Sequence, residues 1–301
     1  MRPEARQLSR RGVLVAAVSA AACAAAAPAR AARVDDAFAA IETAVGGRLG
    51  LYAQQWGGDP IAYRADERFL MCSTFKTLAV AAVLARVDRG QERLDRWVPY
   101  GESDLLDYGP VTKANLAKGG MTLDELCAAA IELSDNAAAN LIVASLGGPA
   151  GVTGYVRALG DRTTRLDRNE PTLNRPGAPG DPHDTTTPAS MAGLWRRLLL
   201  QDALSHSSRE RLADWLEACQ TGANRLKSVT PPGWRIGHKT GSGATTIGDV
   251  AILSPPDGGP ILVAAYLETP EALAHPHDEA LAEAGRRALQ FLTQDHLRPV
   301  H

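Results

Sequence analysis

Apolar residues recur at two different periods along this chain, and the switches between them divide it into three parts. Near the start, Asp35 and Asp36 precede Phe38, Ile41 and Val45 at helical spacing, and Gly46-Gly47 ends the pattern, which predicts an amphipathic helix. Leu49 to Trp56 and Ile61 to Tyr63 read as strands joined by the hairpin signal Gly57-Gly58-Asp59-Pro60. The helical period then takes over. A continuous apolar run, Leu78 to Ala85, follows Cys72-Ser73-Thr74-Phe75-Lys76 and is closed by Gly90. Thr122-Leu123-Asp124-Glu125 is a capping box for a helix that buries Leu123, Leu126, Cys127, Ala130 and Ile131 and stops at Ser134-Asp135-Asn136. Another helix runs from Ala137 to Leu146 and is closed by Gly147-Gly148. Thr187-Pro188 opens one with Met191, Leu194, Trp195 and Leu198 inward, and a further one spans about Ser208 to Cys219. Strands return at Arg235 to Thr240, Asp249 to Leu253 and Ile261 to Leu267, before a final amphipathic helix, Glu279 to Leu292.

Strands at both ends and helices between them predict an α+β fold, an α/β sandwich. One antiparallel sheet is assembled from both chain ends and flanked by helices, with an all-helical domain inserted. The expected boundaries are 33–70 with 220–301 for the sheet domain and 71–219 for the helical one, with the active site between them. Within the helical part, residues 165–184 form a loop whose charges and prolines exclude regular structure; a loop this long inside a compact domain marks function or disorder.

Composition narrows the class. A chain of 301 residues, 45% hydrophobic and with a net charge of −2, can bury a large core and offers no electrostatic reason to bind nucleic acid. Arg10-Arg11, the short apolar run Val13 to Ala27 and the small-x-small pattern Ala29-Arg30-Ala31 predict an export signal over residues 1–31, too short for a membrane span. Ser9-Arg10-Arg11-Gly12-Val13-Leu14 is similar to a twin-arginine signal, while Ala20-Ala21-Ala22 before Cys23 lacks the leucine usual ahead of a lipid-attachment cysteine. The expected location is periplasmic or secreted. Cys72, Cys127 and Cys219 then remain, an odd number in an oxidising compartment, and buried free thiols are expected for Cys127 and Cys219.

Candidate chemistry begins at Ser73 and Lys76. On a helix their spacing puts hydroxyl and amine on one face, where a lysine of lowered pKa can take a serine's proton; a serine cap with a solvated lysine is the alternative. Three more polar clusters interrupt apolar elements: Ser134-Asp135-Asn136, Glu170-x-x-Leu173-Asn174 and Lys239-Thr240-Gly241. Together they supply a nucleophile, two lysines, a second hydroxyl, an amide and a carboxylate, which is what acyl transfer to water requires. His275-Pro276-His277-Asp278 is a fragment of a zinc-ligand pattern, but Asp278 is a natural cap for the last helix and no further His or Cys cluster completes four ligands, so no metal is expected.

With these four motifs in order, the chain resembles the class A serine β-lactamases over almost its whole mature length. The likeness extends to Tyr108-Gly109-Pro110-Val111-Thr112, Ala138-Ala139-Asn140-Leu141, Arg165-Leu166-Asp167-Arg168 and Asp184-Thr185-Thr186-Thr187-Pro188. The resemblance implies a monomer without cofactor that hydrolyses penicillins and cephalosporins through a serine acyl-enzyme. Ser73 attacks the lactam carbonyl, with Lys76 or a water held by Glu170 as its base; Ser134 passes a proton to the leaving nitrogen; Glu170 and Asn174 hold the deacylating water. Asn136 holds the substrate's amide side chain. Lys239, Thr240, Ser242 and Arg225 meet its carboxylate, Tyr108 lines the rim, and the N–H groups of Ser73 and Ser242 form an oxyanion hole worth about 3 kcal/mol per donor. Arg168 and Asp184 pair to pin the ends of the Glu170 loop. The alternatives are a penicillin-binding peptidase or transpeptidase, which lacks a placed deacylating carboxylate, and a β-lactam sensor, which acylates and stops.

Several positions depart from the family pattern. His238 stands where an aspartate is usual, Asn169 replaces a large apolar residue, the loop is longer by one residue near Gly177 to Pro182, and the turn at Gly243 to Gly248 is shortened. In some members the residue equivalent to Cys72 is disulfide-linked across the site, but the partner position here is Gly243, so no bridge is expected.

Overall fold

The computed structural model describes residues 30–270 and 276–294. The expected export signal, apart from Arg30 and Ala31, lies outside the described residues, as do Cys23 and His275.

Helix α1 covers residues 30–45. Asp35 and Asp36 therefore lie within it rather than ahead of it, because Val34 extends the buried stripe of Phe38 and Ile41 by one more turn. Strands β1 (Arg48–Gln55) and β2 (Ile61–Tyr63) form the expected hairpin. Near the other end of the chain, β7 (Arg235–Ser242), β8 (Thr246–Ser254) and β9 (Ile261–Glu268) complete an antiparallel sheet of order β2-β1-β9-β8-β7. The chain ends thus meet where β1 pairs with β9, with Leu51 opposite Ala265.

Alternation along the strands sends the two sheet faces into different cores. Leu49, Leu51, Ile247, Leu253, Val263 and Leu267 face one way and pack with α1 and the last helix, α9 (Pro276–Gln294). Val250, Leu262, Ala264 and Tyr266 face the other way and join the helical cluster built on α2 (Phe75–Asp88). In α2 every residue from Phe75 to Ala85 is buried, which is why this run shows no polar face: a helix apolar all round belongs in the middle of a protein.

The remaining elements surround α2. Short strands β3 (Phe69–Leu70) and β4 (Trp97–Pro99) pair with later segments, and α3 (Pro110–Ala114) and β5 (Gly120–Thr122) lead into α4 (Leu123–Glu132). The Thr122–Glu125 capping box forms as expected. Helix α5 (Asn136–Ser145) is followed at once by α6 (Pro149–Ala158), which the sequence reading did not include. Gly147 and Gly148, at φ +91° and +85°, turn the chain sharply enough for Pro149 to open a new helix whose buried face is little more than Val152 and Val156. After β6 (Thr185–Thr186), α7 (Pro188–Leu200) and α8 (His206–Glu217) close the helical layer.

Trp195 on α7 is fully buried, and its indole Nε1 has no hydrogen-bond partner. Trp195→Ala is expected to cost about 3–5 kcal/mol in urea unfolding. Trp195→Phe should cost clearly less, because it also removes a buried donor that nothing satisfies.

Candidate active site

Ser73 sits in a 3₁₀ turn, Cys72–Thr74, that runs directly into α2. The turn preserves the shared face of Ser73 and Lys76, since side chains three apart eclipse in 3₁₀ geometry. Ser73 is not a cap: its hydroxyl donates to Glu170 Oε1 at 3.2 Å. Lys76 is not solvated either. It is fully buried, and its ammonium donates to the Ser134 carbonyl at 2.7 Å, to Ser134 Oγ at 3.2 Å and to Asn136 Oδ1 at 2.6 Å, with Glu170 Oε1 at 3.3 Å. One carboxylate oxygen thus faces both the hydroxyl and the amine. Burial lowers the Lys76 pKa, opposed by the charge of Glu170 and a hydrogen bond to it.

The second lysine approaches from the sheet. Lys239 projects from edge strand β7 and donates to Ser134 Oγ at 3.0 Å and to the Thr240 carbonyl at 2.9 Å. Ser134 Oγ therefore lies between two ammonium groups. Burial, reinforced by the charge of Lys76, brings the Lys239 pKa down to about 7. An anion arriving beside it would hold the proton on.

The Ser134 turn is fixed by Asp135. This fully buried carboxylate accepts from the backbone N–H groups of Val111, Thr112 and Ala138 and from the Thr112 hydroxyl, and so caps α5 while tying it to α3. With that anchor, Ser134 is held at φ +56°, in the left-handed region that a serine seldom adopts. Tyr108 stands half-exposed at the rim, its hydroxyl donating to the Leu133 carbonyl, while its own carbonyl accepts from Asn136 N.

Glu170 is fixed from three directions. Asn174 donates to its Oε2 at 2.6 Å, while the Asn140 side chain accepts from Glu170 N and donates to Glu170 O, both at 3.0 Å. The loop is not wholly irregular: a 3₁₀ turn at Thr172–Asn174, started by the Asn169 carbonyl, brings Asn174 round to the carboxylate. The loop ends are joined at Asp184, which accepts from the N–H groups of Asp167 and Arg168 and pairs with the Arg168 guanidinium.

Arg225 is a buried residue, not a surface arginine. Its guanidinium bonds the Gly241 and Gly248 carbonyls, Ser242 Oγ and the Asp278 carboxylate at 2.7 Å. Asp278 is therefore an ion-pair partner in the first turn of α9 rather than the helix cap expected from the sequence. It serves to hold Arg225 behind Ser242. Among the described residues no group of three His, Cys, Asp or Glu side chains is placed to hold a metal ion.

Cys72, Cys127 and Cys219 are buried free thiols. A side chain at Gly243 would begin 2.8 Å from Cys72 Sγ and 2.9 Å from the Asn174 carbonyl, so the glycine is what allows this loop to close over the thiol. Two supports of the site were not identified from the sequence: Asn140, which braces Glu170, and Asp135. Both are polar residues within or beside an otherwise apolar α5, and that was the signal available.

Asp184→Ala is expected to destabilise the protein by on the order of 3 kcal/mol, because it leaves two backbone donors and a guanidinium without their acceptor. Urea unfolding of Asp184→Ala beside wild type measures that cost.

Comparison with known proteins shows the family. The model of the Beta-lactamase enzyme family matches residues 33–292. β-Lactamase CTX-M-8 of Citrobacter amalonaticus is 44% identical over 260 residues, covering 86% of this chain and 89% of that one. Among solved structures, the ancestral GNCA class A β-lactamase is 52% identical with a TM-score of 0.81, over 85% of this chain and 99% of its own. A β-lactamase from Burkholderia vietnamiensis is 44% identical with a TM-score of 0.83, over 88% and 97% respectively. These likenesses do not favour the peptidase alternative. With relatives matched over nearly their full length, and with a serine, two lysines and a braced glutamate brought within hydrogen-bond reach of one another, the chain belongs to the class A β-lactamases, hydrolases that open β-lactam rings.

Proposed function

We propose that this protein hydrolyses penicillins and cephalosporins through an acyl-enzyme on Ser73, and that it does so after export, protecting the cell that secretes it. The observation that carries the site assignment is the placement of Glu170 Oε1 against both Ser73 Oγ and Lys76 Nζ, with Oε2 held by Asn174. In acylation the Ser73 proton leaves toward Glu170 or Lys76 as Oγ attacks the lactam carbonyl, and the N–H groups of Ser73 and Ser242 receive the developing oxyanion. As the ring C–N bond breaks, Ser134 protonates the nitrogen and recovers a proton from an adjacent lysine. In deacylation Glu170 takes a proton from water as it attacks the ester, and Ser73 leaves with a proton returned to it.

Substrate is held at its two ends. Lys239, Thr240 and Ser242 bind the carboxylate, with Arg225 fixing Ser242 Oγ from behind. Asn136 takes the amide side chain, and Tyr108 covers the rim. These roles need no cofactor or metal, and the protein acts as a monomer. Export is supported by Arg10-Arg11 and the apolar run after them; among the described residues no helix is long and apolar enough to cross a membrane.

Mature protein and Glu170→Ala should be mixed with a penicillin, hydrolysis followed optically, and both proteins weighed by intact mass spectrometry. The expected result is turnover by the first and a trapped covalent adduct on the second. Equal accumulation of adduct on both, without turnover, would sink the hydrolase reading in favour of a protein that acylates and stops.

A further inference from the structure

Behind the carboxylate-binding strand lies a cluster of titratable groups that the mechanism above does not use. His238, next to Lys239 on β7, is 1% exposed, and its Nδ1 is 3.1 Å from Asp249 Oδ1, itself fully buried. Its other ring nitrogen, Nε2, is buried and has no hydrogen-bond partner. Beside it is Cys219, also 1% exposed. From Cys219 a line of polar contacts leads to the site: Sγ lies 3.3 Å from Thr221 Oγ1, and Thr221 Oγ1 lies 2.6 Å from Thr240 Oγ1. Gly222, at φ +69°, packs against the Thr240 methyl so closely that no Cβ fits, and against His238 at ordinary contact distance.

Resting on the reading of Thr240 as a ligand of the substrate carboxylate, we propose that Cys219 and His238 are positioning residues that set, through Thr221, which way the Thr240 hydroxyl donates. Each hydroxyl in the line has one proton. When Cys219 is a thiol, S–H donates to Thr221, Thr221 donates to Thr240, and the Thr240 proton points outward to a carboxylate. When Cys219 is a thiolate it only accepts. Thr221 then donates to sulfur, Thr240 must donate to Thr221, and only lone pairs face the substrate. The proton lost in this change goes to solvent and no covalent bond is made.

The surroundings make the switch available near neutrality. Burial by itself pushes the Cys219 thiol up, but His238 and the charge of Lys239 outweigh it and bring it down to about 7. Burial likewise opposes charge on His238, and Asp249 overrides it, holding the imidazolium up to about pH 10; a charged ring has a proton on Nε2, and a thiolate is the acceptor it otherwise lacks. Charged side chains on the neighbouring segments are Lys227, whose ammonium sits on the Cys219 carbonyl at 3.1 Å, Glu132 on α4, whose carbonyl accepts from Gln220 N, and the surface pair Glu217–Arg235. Burial pushes the Cys72 and Cys127 thiols well above the ordinary range, so they stay protonated and do not mask the titration.

The test compares wild type, Cys219→Ser and Thr221→Val. Thiolate absorbance near 240 nm should rise in wild type by the amplitude of one thiol around pH 7, and not in Cys219→Ser, whose hydroxyl keeps its proton and can still donate. Between pH 6 and pH 9, kcat/KM for a penicillin should fall in wild type by about tenfold more than in Cys219→Ser, mostly through KM, the size expected for one hydrogen bond to a charged group. The thiolate also raises the Lys239 pKa, so the Lys239 titration differs in Cys219→Ser, and Thr221→Val, which keeps the thiolate, is the control for that coupling. Thr221→Val cuts the line while leaving the thiol, so it should keep the absorbance step and lose the extra pH dependence. Absence of a thiolate step below pH 9, or three parallel kcat/KM profiles, overturns the proposal. If no variant and no wild-type sample turns over penicillin while the thiolate step is present, the functional reading fails instead, and with it the assignment of Thr240 on which this proposal rests.

Discussion

The Lys76–Glu170 ion pair, with both side chains fully withdrawn from water, is the constraint around which the molecule is arranged. Removing two charges from solvent costs several kcal/mol for each, and the cost is offset only if every remaining donor and acceptor finds a partner. Here each does. Lys76 is surrounded by Ser134 O, Ser134 Oγ and Asn136, while Glu170 is met by Ser73 and Asn174, with Asn140 bonding its backbone. Lys239 adds a second buried ammonium whose own hydrogen bonds go to neutral oxygens.

Holding these charges in register requires three parts of the chain to meet within hydrogen-bond reach. The serine and first lysine come from the start of α2, the second lysine from edge strand β7, and the glutamate from a loop that buries little more than Leu166 and Leu173. The first two are placed by ordinary burial: α2 is apolar all round, and Tyr266 on the sheet packs in the same core, its hydroxyl 3.0 Å from that of Thr74. Leu166 and Leu173 anchor the loop in the helical core, and between these two points polar contacts place it. Asp184, Asn140 and Arg168 supply those contacts, so the position of Glu170 depends on a few specific bonds as well as on buried area.

The residues around the site are accommodated in the same physical terms. Gly243 lets the loop pass over Cys72, and His238 finds in Asp249 a carboxylate that accepts its proton. Arg225 gives its donors to two carbonyls, a serine and Asp278, which makes it part of the wall behind Ser242.

Much of this was legible before any coordinates. The sheet and most helices follow from periodicity, because alternation at two and at 3.6 residues records which side of an element faces the core. The four polar motifs identify the chemistry, since acyl transfer needs those groups and few other folds supply them in that order. Helix α6 was not legible, because its buried face is two valines behind a glycine pair that reads equally well as a terminus. The role of Asp278 was missed for a different reason. An acidic residue at a helix start satisfies the local rule for a cap, and only the folded chain brings Arg225, more than fifty residues away in sequence, to its carboxylate. The same holds for Cys219, His238 and Asp249, which lie on three separate segments. Local pattern determined which elements form and which reacting groups the chain carries, because those depend on neighbours in sequence. Tertiary structure alone decided which of the buried charges face one another, because solvation and ion pairing depend on distance in space.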